Sequence, residues 1–277
     1  MLKIDAHQHF WKFNAVKQAW INEEMAAIKT DFLPHHLEPL LKEQGFKGCI
    51  AVQADESEEE NEFLLNLAQE NSFIKGVVGW LDFLSVDMSN RLDYYSQFKL
   101  MKGFRYILQG LPQRDIMLSN VFKNNIQLLS KHQFTYDILI FPDQLSYATK
   151  LVEAFPNQPF VLDHMAKPLI KSGEINQWKN DISELAKHEN VYCKVSGMVT
   201  EADWQNWKYE DFLPYLDVVF NSFGANRLMF GSDWPVCNVA GAYQKVISIV
   251  QEYTSSLTKE EQACFWGENT IKFYQLL

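Results

Sequence analysis

The chain opens on Ile4-Asp5-Ala6-His7-Gln8-His9, a short apolar run that ends in two histidines. Side chains alternate along a strand, so residues i and i+2 point to one side. His7 and His9 therefore offer two imidazole nitrogens from one face, a pair that suits a divalent cation. Histidines at this spacing also occur in strands where they only pack or hydrogen-bond. The rest of the chain decides which reading applies here.

Seven further runs look like this first one. With Lys3–Ala6 at the head, they are Gly48–Gln53, Gly76–Leu81, Gly103–Ile107, Thr135–Ile140, Phe160–Asp163, Val191–Val195 and Leu228–Phe230. Each is short and rich in β-branched, aromatic or other apolar side chains, as buried strands are. Helical periodicity fills the intervals. It follows the acidic run Asp55–Glu60 at Phe63, Leu64, Leu67 and Ala68. It returns at Val121–Leu129, Leu145–Phe155, Ile175–His188, Phe212–Phe223, Tyr243–Tyr253 and Lys259–Tyr274. Strand and crossover repeated eight times predict parallel strands closed into a (β/α)8 TIM barrel. No linker or low-complexity stretch divides residues 1–277, so one domain is expected. Residues 10–34 read as a long first loop overhanging the barrel mouth.

Composition agrees and removes several function classes. Of 277 residues, 47% are hydrophobic and 14% aromatic, enough for a large core. The net charge of −10 repels phosphate backbones, which argues against nucleic acid as a partner. No run of 18 apolar residues is present, so no membrane span is expected. Residues 1–10 lack a signal-peptide core. The four cysteines are far apart and read as reduced thiols of a cytoplasmic protein. A small-molecule substrate is the partner expected, with the oligomeric state left open.

Chemistry in such a barrel sits at the carboxyl ends of the strands, and polar residues gather there. They are His7 and His9; Gln53 and Asp55; Trp80 and Asp82; Arg105 and Gln109; Asp137; Asp163 and His164; Lys194 and Ser196; and Ser232, Asp233 and Trp234. Singly, each has a structural explanation, such as a helix cap or a satisfied buried histidine. Together they make a pattern.

That pattern resembles the amidohydrolase superfamily, in its amidohydrolase-2 branch. The motifs are Ile4-Asp5-Ala6-His7-Gln8-His9-Phe10-Trp11, Lys102-Gly103-Phe104-Arg105, Leu162-Asp163-His164 and Phe230-Gly231-Ser232-Asp233-Trp234-Pro235. Within the branch the likeness is to sugar-acid lactonases of the fuconolactone, rhamnonolactone and pyrone-dicarboxylate type. The resemblance implies that His7, His9, His164 and Asp233 form the site. Binuclear members carry a bridging lysine or glutamate on strand 4 and a histidine on strand 5. Here Arg105 stands on strand 4 and Asp137 on strand 5. Two cations need a negative bridge, so one zinc or manganese ion, or none, is expected.

The activity so implied is hydrolysis of a sugar-acid lactone. Asp233 would act as general base, while His164, the other histidines and any cation polarise the carbonyl. Arg105, Lys194, Gln53, Trp11, Trp80 and Trp234 are the expected substrate contacts. Arg105 has an alternative use in an ion pair with a barrel carboxylate, and the tryptophans have one in filling loops. Two rival functions stay open: non-oxidative decarboxylation, and a silent barrel that only binds a sugar acid.

Overall fold

The computed structural model describes residues 1–276. Eight parallel strands form one sheet in sequence order: β1 Lys3–Gln8, β2 Phe46–Val52, β3 Ile74–Gly79, β4 Met101–Ile107, β5 Thr135–Leu139, β6 Phe160–Leu162, β7 Val191–Val195 and β8 Leu228–Phe230. The last seam closes just past the strands, where Asp233 N donates to His7 O (2.9 Å) and His9 N donates to Trp234 O (2.7 Å). The chain is a (β/α)8 barrel, and its closure runs through the two terminal motifs.

The helices α1 Pro34–Glu43, α2 Glu58–Glu70, α3 Met88–Tyr95, α4 Asn120–Leu129, α5 Leu145–Ala154, α6 Asn176–Leu185, α7 Tyr209–Phe223 and α8 Tyr243–Thr254 form the outer layer. The acidic run opens α2, as expected. Ser57 caps it, and Glu58, Glu59 and Glu60 occupy the first turn, where negative charge suits the helix dipole. Helices α1 and α3 are additions to the sequence reading. Pro39 inside α1 and the eight-residue length of α3 obscure a helical spacing that both keep, at Pro34, Leu37 and Leu41 and at Met88, Leu92 and Tyr95. The single helix expected over Lys259–Tyr274 divides into α9 Lys259–Ala263 and α10 Asn269–Phe273, with a π turn at Cys264–Glu268 between them. Phe273 and Tyr274 then pack with Ala6, Ile50, Val52, Val78, Val161 and Met229 as the barrel's apolar interior.

The first loop builds a small core of its own. Trp11 pairs with Phe32 through two backbone hydrogen bonds of 2.9 Å and packs with Ile21, Ile28 and Ala54. Its indole Nε1–H donates to Thr30 O at 2.9 Å. A buried indole must find such a partner. Among the described residues no helix is long and apolar enough to cross a membrane.

Candidate active site

Asp5 and Ala6 show why the histidines face the mouth. Ala6 belongs to the barrel interior, whereas the Asp5 carboxylate accepts from Tyr243 Oη on the outer helix α8 at 3.2 Å. Strict alternation would send His7 outward with Asp5. The β1–β2 register shifts between Asp5 and Gln8. An irregularity of this kind re-aims the side chains beyond it. His7 and His9 keep their common side, and their Nε2 atoms lie 3.2 Å apart.

The other two members come from strained backbone. His164, Met165, Ala166 and Lys167 have φ values of 52°, 53°, 58° and 51°, and Asp233 has 57°. Holding a non-glycine residue in this left-handed region costs on the order of 1 kcal/mol or more. Surrounding contacts hold both turns: Trp178 Nε1–H donates to Met165 O (2.8 Å), and Cys237 N donates to Asp233 O (2.9 Å). Two glycines make room behind the rings. A Cβ on Gly231 would lie 2.6 Å from His7 Cβ, and one on Gly197 would lie 2.7 Å from His164 Nδ1.

The result is a convergence. Asp233 Oδ1 lies 3.3 Å from His9 Nε2 and 4.0 Å from both His7 Nε2 and His164 Nε2. All four residues are buried to 4% exposure or less. Each imidazole is fixed at its other nitrogen. His9 Nδ1–H donates to Val52 O at 2.8 Å, which leaves Nε2 without a proton in the neutral ring. His164 Nδ1 meets Ser196 Oγ at 2.9 Å. His7 Nδ1 lies 3.3 Å from Asp163 Oδ1 and 3.1 Å from Lys194 Nζ. Lys194 already has two carboxylates, so we assign the His7 Nδ1 proton to Asp163 and leave Nε2 bare. Burial pushes the pKa values of His7 and His164 well below the ordinary histidine value. Burial alone would raise Asp233, but His164 and His9 beside it hold its pKa below the usual carboxylate value. The floor thus presents three imidazoles, each tied through Nδ1, and one carboxylate.

Such a set fits a single divalent cation. One ligand atom each from His7, His164 and Asp233 lies within 4.8 Å of the others. The three Nε2 atoms and the carboxylate crowd together, an arrangement that a cation or shared protons among them would stabilise. Metal-binding histidines are commonly anchored in this way through the ring nitrogen that faces away from the ion.

Beneath His7 lies a buried charge cluster. Lys194 Nζ pairs with Asp137 Oδ2 (2.5 Å) and Asp163 Oδ1 (3.0 Å), and Arg105 Nη1 pairs with Asp163 Oδ2 (3.0 Å). Tyr274 Oη donates to Asp137 Oδ2 at 2.8 Å. Burial raises Asp137 to about 6 against the pull of Lys194. Asp163 is also desolvated, but Lys194, His7 and Arg105 hold it well below the ordinary range.

A cavity of about 350 Å³ opens above the floor, walled by His9, Arg105, His164 and Asp233 together with Trp20, Glu56, Gln109, Lys167, Glu201 and Trp204. The expected substrate contacts divide accordingly. Arg105 reaches this wall while also making the ion pair with Asp163. Gln53 is buried, and its Oε1 accepts from Arg105 Nη2 at 2.8 Å, so it orients the guanidinium. Lys194 is sealed among its carboxylates. Trp11 holds the first loop, and Trp234 packs against Phe10 and Phe32. Trp80 lies beside Tyr106, outside the cavity wall. The cavity's indoles are Trp20 and Trp204 instead. Trp20 is set edge-on to Trp11 at 6.0 Å, and Trp204 is anchored by Nε1–H to Thr200 O at 2.8 Å. Both lie away from strand ends, where a motif reading does not look.

Comparison with known proteins places this geometry in a lineage. Residues 4–276 match the family model Amidohydro_2, described as Amidohydrolase. An L-fucono-1,5-lactonase of Burkholderia multivorans is 35% identical over 286 residues, covering 99% of this chain and 96% of that protein. An L-rhamnono-gamma-lactonase of Scheffersomyces stipitis is 26% identical over 205 residues, covering 65% of this chain and 61% of the relative. A crystal structure of a Burkholderia multivorans amidohydrolase with bound zinc superposes with a TM-score of 0.96 at 35% identity, and the match covers 100% of both chains. With the family match running from the first strand to the last helix, the chain belongs to the amidohydrolase family.

Proposed function

We propose that this protein hydrolyses the lactone ring of a sugar acid, with one divalent cation at the histidine floor. The observation that carries the reading is the meeting of three imidazoles and Asp233 under a cavity of sugar size. The similarity to an L-fucono-1,5-lactonase over nearly the whole chain supports it, and the zinc in the similar amidohydrolase supports the cation.

Asp233 Oδ1 faces the imidazoles, so Oδ2 is the oxygen left to take the proton of the attacking water. The same carboxyl then returns that proton to the ring oxygen as it leaves. The imidazoles are each held through Nδ1 and turn Nε2 toward the floor. They act as ligands, His7, His9 and His164 with Asp233 forming the donor set. A cation bound there supplies Lewis-acid polarisation of the carbonyl. Arg105 adds a fixed positive field at the cavity wall. Trp20 and Trp204 offer apolar faces to the sugar ring.

The test is a pH-indicator assay over a panel of aldonolactones, run with zinc- or manganese-loaded and chelator-treated protein. Loaded protein should release a proton for each lactone opened, and chelation should cost about a hundredfold or more. No proton release from any lactone refutes the activity. Full activity after verified metal removal refutes the cation and returns polarisation to the protein's own groups.

Gly197→Ala probes the packing behind His164. Its Cβ must push the ring or the left-handed turn aside, and misplacement by about 1 Å costs about a hundredfold in kcat/KM. Steady-state kinetics on a variant shown to be folded checks this. Activity within threefold of the parent would mean that His164 does not need its present position.

A further inference from the structure

The charges of the cavity wall point to a selectivity that the histidine floor does not itself explain. Every cation in or beneath the wall is already opposed by a carboxylate. Arg105 and Lys194 face Asp163 and Asp137, and Lys167 Nζ lies 3.3 Å from Glu201 Oε1. Glu56 also lines the cavity, and among the described residues it has no cationic partner within 4.0 Å. The Trp80 side chain and the more distant Arg105 act on it favourably, while Asp55 and Asp82 are close enough to act against it. Gln109, on the same wall, has a buried Oε1 without a partner. An amide end of this kind pairs with a hydroxyl in either orientation. The carboxylate of Glu56 can only accept hydrogen bonds. A substrate hydroxyl satisfies both groups, whereas a substrate carboxylate meets a second carboxylate and no unopposed cation. Arg105 keeps a free Nε–H, but its charge is spent on Asp163.

We propose that Glu56, with Gln109, is a specificity determinant that selects uncharged, polyhydroxylated lactones and rejects lactones bearing a carboxylate away from the ring carbonyl. This rests on the lactonase reading above and adds to it the charge class of the substrate.

A matched pair tests it: galactono-γ-lactone and galactaro-γ-lactone of the same ring configuration, which differ in a terminal hydroxymethyl against a carboxylate. For the parent protein, kcat/KM should favour the neutral lactone by about tenfold or more, the repulsion of two charges several ångströms apart near a surface. Glu56→Gln should reduce that preference about fivefold, mainly through KM of the charged lactone. Salt at about 0.5 M should shrink it in the parent but not in the variant. Glu174→Gln, on an outer groove remote from the histidines, should leave it in place. Quenching of Trp20 and Trp204 fluorescence in Asp233→Asn protein gives the two dissociation constants without turnover. Equal or better use of the charged lactone by the parent, or a ratio unmoved by Glu56→Gln, overturns the proposal. If neither lactone is opened yet the neutral one binds more tightly, the selectivity stands and the lactonase reading falls.

Discussion

Asp233→Asn is expected to lower kcat by about a hundredfold to ten-thousandfold, the range for loss of a positioned general base, while leaving lactone binding within a few fold. Asparagine keeps the shape and one acceptor oxygen, so the turn that holds residue 233 should survive. It cannot take a proton from water. The pH profile of the parent carries a second signature. His164 and His9 hold the Asp233 pKa below the usual carboxylate value in spite of burial. A base is active above its own pKa and fails as pH falls through it. The acid limb of kcat/KM should therefore lie on the acid side of the ordinary carboxylate range. An Asp233→Asn protein that retains a tenth of parental kcat, or a parent limb near pH 6.5, would remove Asp233 from the role of base.

Lys194→Met should destabilise the fold by about 3–5 kcal/mol, the penalty for removing one partner of a buried ionic group. Methionine fills much of the volume, so a cavity is not the cause. The loss comes from Asp137 and Asp163, both fully buried, which would face each other without the ammonium between them. Adding Asp137→Asn to the first change should recover part of that loss, because it removes one stranded charge. Urea unfolding of the two variants beside the parent decides the matter. A single variant within about 1 kcal/mol of the parent, or a double variant weaker than the single, would show that Lys194 does not hold this cluster together.

The barrel was legible because its evidence is local. Strands alternate with amphipathic crossovers along the whole chain, and parallel strands leave few other closures. Its weak points were local too: Pro39 sits inside α1, α3 is only eight residues long, and the π turn at Cys264–Glu268 interrupts a pattern that otherwise reads as one helix. At strand ends, position stood in for environment. Trp11 and Trp234 follow strands yet pack inside loops, while Trp20 and Trp204, away from strand ends, border the cavity.

Read without coordinates, the order of residues determined the barrel and named His7, His9, His164 and Asp233 as the polar set at its mouth, since strand periodicity and motif identity are carried by neighbours in the chain. The tertiary structure alone decided how those groups are used. A register shift turns His7 inward, left-handed turns aim His164 and Asp233, and the cations of Arg105 and Lys194 are spent on Asp163 and Asp137. The reason is physical: a charge's effect depends on its distance to other charges and on its exclusion from water, and both are set by residues far apart in sequence.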